Sequence, residues 1–253
     1  MSAHLGRGAD GYREPVTRAA ALRELYGSLA AIDLLAAVIE REFPGRIALV
    51  SSFGAESAVL LHLVSQIDRH LPVLFLETGQ HFSETLRYRD TLVERLRLTD
   101  VRPIHPAKAD IAREDPEGYL HLADPDRCCA LRKVLPLADA LTPFTAWISG
   151  RKRFQATTRQ RLPTIEADAT HVKINPIAHW RPEDLTAYMT THALPVHALV
   201  AAGYPSIGCA PCTARVEAGE GDRAGRWRGR QKTECGIHAP EPTGTPMPDL
   251  ALA

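Results

Sequence analysis

The sequence predicts an α/β fold built on a doubly wound, mostly parallel sheet. Apolar runs rich in β-branched residues recur along the chain, three of them end in a glycine turn, and segments with helical periodicity separate them. Strands that alternate with helices pair in parallel and carry helices on both faces of the sheet. The 253 residues are 45% apolar, which is enough for the core of such a fold.

The predicted elements follow one another in a regular order. Residues 16–42 have apolar positions at helical spacing, which fits one or two helices broken at Gly27 and ended by Pro44. The predicted strands are RIALVSSFG, LPVLFLETG, VRPIHP, FTAWISG and HVKINPI. The later helices are AESAVLLHLVSQI, SETLRYRDTLVERL, CALRKVLPLADAL and WRPEDLTAYMTTH, in which Pro182 suits the first helical position.

The chain divides into four predicted parts. Residues 1–15 are expected to be disordered, 16–212 to form the α/β domain, 213–238 to form a mobile segment, and 239–253 to form a disordered tail. The N-terminus lacks the apolar centre of a secretory signal, and no stretch reaches eighteen uninterrupted apolar residues, so we expect a cytoplasmic protein outside the membrane. The formal charge is zero, so anions must be attracted by local clusters.

The loops SSFG, LETG and ISGRK should line one pocket, because ligands of doubly wound sheets bind at the carboxyl ends of the strands. In SSFGAES the chain turns from strand to helix, so backbone N–H groups can hold an anion. This loop resembles the SGGxDS phosphate loop of the adenine-nucleotide α-hydrolases. Phe53 replaces a glycine and Glu56 an aspartate of that pattern, which argues against ATP cleavage and leaves a nucleotide without a triphosphate as the expected ligand.

A basic run follows the fourth predicted strand. It has no acid within it and contains Arg151, Lys152, Arg153, Arg159 and Arg161. Runs of this kind are most often solvated surfaces, but the position after a central strand favours an anion-binding wall. Nucleic-acid binding is disfavoured by the zero net charge and by the lack of interleaved aromatic residues.

Five cysteines in a chain without an export signal indicate metal binding or thiol chemistry rather than structural disulfides. Cys128 and Cys129 are adjacent, and neighbouring Cα atoms lie ~3.8 Å apart whereas ordinary disulfides begin at ~4.4 Å, so only a strained ring could join them. Cys209 and Cys212 have C-x2-C spacing. Four thiolates suit zinc or a 4Fe-4S cluster, and the adjacent pair favours the cluster because each cysteine can bind its own iron.

The fifth cysteine, Cys235, lies in TECGIH, three residues before His238 and after a stretch with five basic residues. A lone late cysteine is more often an inert core thiol. The surrounding positive charge, however, favours the thiolate and attracts an anionic substrate. Cys235 is therefore predicted to be a nucleophile.

Taken in order, SSFGAES, LETGQHFSETL, CCALRK, GRKRFQATTR, GCAPC, RAGRW and ECGIH resemble the assimilatory sulfonucleotide reductases, of the iron–sulfur type that reduces adenylyl sulfate. The resemblance implies an adenine-nucleotide α-hydrolase-like fold and a 4Fe-4S cluster on Cys128, Cys129, Cys209 and Cys212. It implies that Cys235 forms an S-sulfocysteine, from which thioredoxin or glutaredoxin releases sulfite in sulfate assimilation and cysteine biosynthesis.

The resemblance also implies roles for individual residues. The expected sulfate ligands are Lys133, Arg223, Arg226 and His238. The expected nucleotide contacts are Ser52, Phe53, Gly54, Glu56, Ser57, Glu77, Thr78, Gly79, Gly150, Arg153, Gln155 and Arg159. Within GRKRFQ, Arg151 and Phe154 depart from the GLRRxQ form that is common in the family.

Other functions stay open at this point. The basic run would suit the extra phosphate of 3′-phosphoadenylyl sulfate. The fold and the cysteine pairs also suit a tRNA-thiolating ATP pyrophosphatase, against which Phe53 and Glu56 argue. In an iron–sulfur sensor or nucleic-acid binder without enzymatic activity, Cys235 would be idle. The sequence does not encode whether the chain forms a homo-oligomer.

Overall fold

The computed structural model describes residues 14–238. The predicted disorder of 1–15 and 239–253 lies outside this part, except that residues 14 and 15 begin the first helix. None of the helices in the described part is both long and apolar enough to cross a bilayer.

A six-stranded sheet forms the centre of the molecule, in the order β3-β2-β1-β4-β6-β5. The strands are β1 (Ile47–Ser51), β2 (Val73–Leu76), β3 (Val101–Ile104), β4 (Ala146–Ile148), β5 (Ile165–Ala167) and β6 (Val172–Ile174). All neighbouring pairs are parallel except β5 with β6. The prediction of a mostly parallel α/β sheet is confirmed.

Helices connect the strands. They are α1 (Glu14–Tyr26), α2 (Ala31–Ala36), α3 (Ser57–Ser65), α4 (Ser83–Leu96), α5 (Lys108–Glu114), α6 (Leu120–Ala123), α7 (Pro125–Cys129), α8 (Leu135–Leu141), α9 (Pro182–Thr191) and α10 (Ala198–Ala201). π-Helical turns extend α2 over Ala37–Glu42 and join α7 to α8 over Ala130–Val134.

The central strands are buried on both faces, which explains their continuous apolar runs. Along β2, Val73 and Phe75 enter the larger apolar core, whereas Leu74 and Leu76 enter the smaller one on the opposite face. The chain runs outward from β1 to β3, then returns to place β4 against the other side of β1. A crevice at the carboxyl ends of β1 and β4 is where such sheets bind ligands.

Two local features differ from the predicted elements. Strand β5 was not expected, because it has only three residues and depends on antiparallel pairing with β6. The turn between them is closed by Asp168, whose Oδ1 accepts from the N–H groups of Thr170 and His171 at 2.9 and 2.8 Å. Helix α7 begins upstream of the predicted start, because the Asp124 carboxylate caps it and Pro125 occupies the first turn.

The C-terminal segment, residues 213–238, folds back over the carboxyl end of the sheet. Thr213 forms a β-bridge with Arg226, and the Ala214 N–H donates to the Gly225 carbonyl at 2.8 Å. A Cβ at position 225 would overlap the Ala214 carbonyl oxygen, so this close pairing requires glycine. The predicted division at residue 212 and the mobility of the segment stay predictions.

Candidate active site

A cavity of about 470 Å³ opens at the carboxyl ends of β1, β2 and β4 and is covered by the C-terminal segment. It lies where the sheet topology predicts a ligand site. Most of the predicted site residues line it together: Ser52, Gly54, Glu56, Ser57, Thr78, Lys133, Gly150, Gln155, Arg159, Arg223, Arg226, Cys235 and His238.

Phe53 does not line this cavity. Its ring is fully buried and packs edge-on against Phe75, with ring centroids 5.3 Å apart. Its backbone has φ +48°, the left-handed conformation that costs a non-glycine residue about 1–2 kcal/mol. Burial of a phenylalanine side chain contributes about 1.5–3 kcal/mol, which offsets that strain. The Phe53 side chain therefore belongs to the core, and its nucleotide contact stays a prediction.

The β1 loop also uses one of the N–H groups that we expected to hold an anion. The Phe53 N–H donates to the Ser51 hydroxyl at 3.2 Å, so the loop is closed partly by its own side chain. Ser52, Gly54 and Ser57 still face the cavity. The loop can therefore contact a ligand, but the Phe53 N–H is committed to the turn.

The loop after β2 divides its predicted residues between two tasks. Thr78 lines the cavity, and its hydroxyl lies 3.4 Å from the sulfur of Cys209. Glu77 and Gly79 lie outside the cavity lining. The Glu77 carboxylate accepts from the Gly79 N–H at 3.1 Å, and Gly79 has φ +70°. These two residues shape the turn that presents Thr78.

The basic run after β4 is paired with acids from other parts of the chain. Lys152 Nζ lies 2.6 Å from the Glu56 carboxylate, Arg151 pairs with Glu166, and Arg159 pairs with Glu234. Burial lowers the pKa of Lys152, and the carboxylate of Glu56 opposes that shift. Three of the five cations of the run are therefore in ion pairs.

Arg153 is held by a backbone contact outside the cavity. Its guanidinium donates to the Leu162 carbonyl at 2.8 Å, and it lies outside the cavity lining. Gln155 does line the cavity and ties the wall together, since it donates to Glu56 at 3.1 Å and accepts from Arg159 at 2.7 Å. Arg153 therefore stabilises the loop, while Gln155 and Arg159 face the ligand space.

Four of the five cysteines come together at one side of the cavity. Cys128 and Cys129 end the short helix α7, and Cys209 and Cys212 flank a single 3₁₀ turn in the facing loop. A small pocket is lined by all four cysteines. Within residues 14–238, no three Cys, His, Asp or Glu side chains form a group that could hold a single metal ion.

The thiols in this pocket do not ionise readily on their own. Burial, reinforced by the neighbouring sulfur of Cys129, raises the pKa of Cys128 to about 11. Burial likewise raises the pKa of Cys129 and of Cys212. A buried group of thiols is therefore held as thiolates only when cationic charge compensates them.

Lys133 and Arg226 supply positive charge between the cysteines and the cavity. Burial disfavours the charged form of Lys133, but the sulfurs of Cys209, Cys235 and Cys129 outweigh it and raise the pKa of Lys133. The Arg226 guanidinium lies 4.6 Å from the ring centroid of Trp227 and passes directly over Gly208. Both cations face the ligand space beside Cys235.

His238 closes the cavity from the C-terminal side. Its ring stacks on Trp147 of β4, with centroids 5.1 Å apart and planes 12° apart. Burial, with the nearby charges of Arg151, Arg159 and Lys173, holds the pKa of His238 well below 6.5. Its Nδ1 is buried without a hydrogen-bond partner in the described part of the chain, so a polar ligand atom could bind there.

The His238 stack makes docking of the C-terminal segment pH-dependent. A displaced segment has a histidine with an ordinary pKa of about 6.5, so below that pH only the displaced state gains a proton. The equilibrium constant for docking therefore has its full value above pH 6.5 and falls by up to about tenfold per pH unit below it. Relative to the rate at which trypsin cleaves an unfolded peptide at the same pH, cleavage within residues 228–238 should accordingly rise from pH 7 to pH 5.5.

The control for this prediction is His238→Gln, which removes the titrating group and should give a flat pH profile. His192→Gln changes an exposed histidine and should retain the dependence. A wild-type profile that is flat between pH 7 and 5.5 would contradict the assignment.

Comparison with known proteins assigns the chain to a family. The model of the phosphoadenosine phosphosulfate reductase domain matches residues 46–215. The chain belongs to the phosphoadenosine phosphosulfate reductase domain family. Adenosine 5′-phosphosulfate reductase of Mesorhizobium japonicum is 52% identical over 235 residues, which cover 93% of this chain and 91% of that protein. The enzyme of the same name from Chelativorans sp. is 50% identical and covers 85% and 88%.

A solved structure supports the fold of this reductase-family chain. Phosphoadenylyl-sulfate reductase from Candida auris, in a phosphate complex, superposes with a TM-score of 0.65 over 85% of this chain and 100% of that one. The two sequences are only 23% identical, so this structural similarity shows the fold alone.

Several residues of this reductase-family site were not predicted individually. Trp147, Gly208 and Glu234 line the cavity, and so does Lys152, which was predicted only as a member of the basic run. A role for Trp147 could not be predicted because it stands in an ordinary apolar strand. A role for Gly208 could not be predicted because it depends on Arg226, eighteen positions later. Lys152 and Glu234 lie within the quoted motifs GRKRFQ and ECGIH, but their pairing with Glu56 and Arg159 could not be predicted from the sequence.

Proposed function

We propose that this chain is an adenylyl-sulfate reductase that uses Cys235 as its nucleophile in sulfate assimilation. The observation that carries the proposal is that Cys235 lines the same cavity as the β1 loop, Lys133, Arg226 and His238. The names of the two relatives at 52% and 50% identity support the same reaction.

In the first step, the Cys235 thiolate attacks the sulfur of adenylyl sulfate. An S–S bond forms, the S–O bond to the phosphate breaks, and AMP leaves with the electron pair of that bond. Arg223, Arg226 and Lys133 stabilise the negative charge of the sulfate and of the departing phosphate. The product is an S-sulfocysteine on Cys235.

In the second step, a thiolate of a dithiol protein such as thioredoxin or glutaredoxin attacks the sulfur of Cys235. Sulfite leaves with the electron pair of the S–S bond, and a mixed disulfide remains. The second thiol of the dithiol protein then attacks that disulfide and regenerates Cys235. The dithiol supplies both electrons that convert the sulfate sulfur to sulfite, so no other reductant is needed.

The four remaining cysteines fit a 4Fe-4S cluster. Cys128, Cys129, Cys209 and Cys212 line one pocket, the adjacent pair suits separate iron atoms, and buried thiols need cationic charge to stay ionised. When bound, such a cluster supplies a rigid, charged support for the two cysteine-bearing loops. Lys133 lines both the cysteine pocket and the cavity that contains Cys235. Its positive charge therefore acts on the cysteine sulfurs and on an anionic substrate at the same time.

The nucleotide contacts are proposed for the residues that line the cavity: Ser52, Gly54, Glu56, Ser57, Thr78, Gly150, Gln155 and Arg159. The basic run would suit the extra phosphate of 3′-phosphoadenylyl sulfate, but three of its five cations, Arg151, Lys152 and Arg159, are paired with acids. We therefore expect turnover of adenylyl sulfate to exceed that of the 3′-phosphorylated nucleotide. The thioredoxin partner, the cytoplasmic location and the oligomeric state stay predictions.

The decisive experiment is to incubate the purified chain with adenylyl sulfate without a thiol reductant and to analyse its peptides by mass spectrometry. We expect a sulfonate adduct on Cys235 and one equivalent of AMP in solution, and the adduct alone should disappear, with release of sulfite, when reduced thioredoxin is added. AMP release without an adduct would overturn the covalent step. RNA-dependent cleavage of ATP, with no reaction of adenylyl sulfate, would favour the ATP pyrophosphatase instead.

A further inference from the structure

Cys235 is held over the cavity from both sides. On the C-terminal side, His238 stacks on Trp147. On the N-terminal side, the Glu234 carboxylate accepts from Arg159 through both oxygens, at 2.7 and 2.6 Å. A planar guanidinium that binds a carboxylate in this two-point manner fixes its orientation as well as its distance.

A second arginine reinforces this contact. Arg223 Nη2 donates to the Thr233 carbonyl at 2.7 Å and lies 3.7 Å from the Glu234 carboxylate. Arg159 is itself oriented by Gln155, which accepts from its third nitrogen at 2.7 Å. The backbone immediately before Cys235 is thus attached to two arginines that belong to different parts of the fold.

These arginines also face the ligand space, where they repel one another. Burial and the charges of Arg226 and Arg159 lower the pKa of Arg223, and the Glu234 carboxylate opposes that shift. Burial and Arg159 lower the pKa of Arg151 to about 10, and Glu234 opposes this shift too. The Glu234 carboxylate therefore offsets part of the mutual repulsion of Arg151, Arg159 and Arg223, and Glu166 pairs with Arg151 as well.

We propose that Glu234 is a positioning residue that holds Cys235 over the substrate sulfur through its charge pairing with Arg159 and Arg223. Removal of the charge should loosen the placement of Cys235 but leave the cations of the cavity more attractive to an anion. The chemical step and nucleotide binding should consequently respond in opposite directions, which a loss of folding would not produce. The inference rests on the proposed function, because its readout is the adduct on Cys235.

The test compares Glu234→Gln with the wild-type chain in single-turnover formation of the Cys235 adduct from adenylyl sulfate. We expect the rate constant at saturating nucleotide to fall about tenfold or more, since a mispositioned nucleophile loses much of the advantage of proximity. The dissociation constant of AMP, measured by calorimetry, should stay equal or fall several-fold, because two arginines lose their competing carboxylate.

The chain offers a matched control in Glu220→Gln. Glu220 also binds an arginine of the C-terminal segment through both oxygens, with Arg228 at 2.8 and 2.6 Å, but it lies outside the cavity lining. This variant should form the adduct at the wild-type rate and bind AMP unchanged. An equal loss of rate in the two variants would overturn the inference, and so would weaker AMP binding by Glu234→Gln.

The proposed function and this inference can fail separately. If the wild-type chain forms no adduct with adenylyl sulfate, the proposed function fails. If the wild-type chain forms the adduct and Glu234→Gln forms it equally fast, only the positioning role fails.

Discussion

Replacement of Cys235 by serine is expected to abolish reduction of adenylyl sulfate while leaving the chromophore of the proposed iron–sulfur cluster intact. A serine hydroxyl is not ionised at neutral pH and cannot form the S–S bond of the intermediate, so the loss should be at least about 10⁴-fold. Cys235 lies apart from the pocket that the four other cysteines line, so visible absorbance and iron content should stay at the wild-type level.

Cys129→Ser is the contrasting variant. Cys129 is buried in the cysteine pocket, so its replacement should remove the chromophore together with the activity. Reductase activity that persists in Cys235→Ser would refute the covalent mechanism. A full chromophore in Cys129→Ser would refute the ligand assignment but not the role of Cys235.

The parts of the fold that could be predicted are those whose signal is local. Strands β1, β2 and β4 are covered on both faces, so they appear in the sequence as continuous apolar runs. Strand β5 has no such run, because it is an edge strand whose existence depends on pairing with β6. The start of helix α7 is marked only by its cap at Asp124, and this residue lies upstream of the apolar pattern from which the helix was predicted.

The site divides in the same way. The cysteines and the strand-end loops were predictable because their chemistry follows from residue type and short spacing. The charge balance of the cavity was not, because Arg159 and its carboxylate partner are 75 positions apart in sequence. Phe53 was predicted to contact the nucleotide because it stands where the SGGxDS loop has a glycine. In the structure this position keeps a glycine-like backbone conformation, and the phenylalanine ring is buried.

These pairings change how the cavity is expected to recognise its ligand. Two cations of the cavity, Lys152 and Arg159, are already neutralised by Glu56 and Glu234. Two others, Lys133 and Arg226, lie beside the sulfur atoms of the cysteines. An anionic group that reaches this end of the cavity meets positive charge next to Cys235, which places the sulfate rather than the adenosine at the nucleophile.

Placement of Arg226 depends on a glycine. A Cβ at position 208 would lie 2.5 Å from the Arg226 Cζ atom, so Gly208→Ala should force the guanidinium away from its site. Arginine is flexible enough to move, and the melting temperature should therefore change little. We expect kcat/KM for adenylyl sulfate to fall about 10²-fold, the usual cost of one lost electrostatic contact to a developing charge.

A double-mutant cycle can test whether the loss acts through Arg226. If Gly208→Ala only displaces the guanidinium, it should cost no further activity in an Arg226→Ala background, because the two changes remove the same contact. Gly221→Ala is the matched control, since a Cβ at that cavity-lining position meets nothing within 4 Å. Additive losses in the cycle would mean that Gly208 acts on the adjacent Cys209 loop instead, and the link between glycine, arginine and sulfate would be wrong.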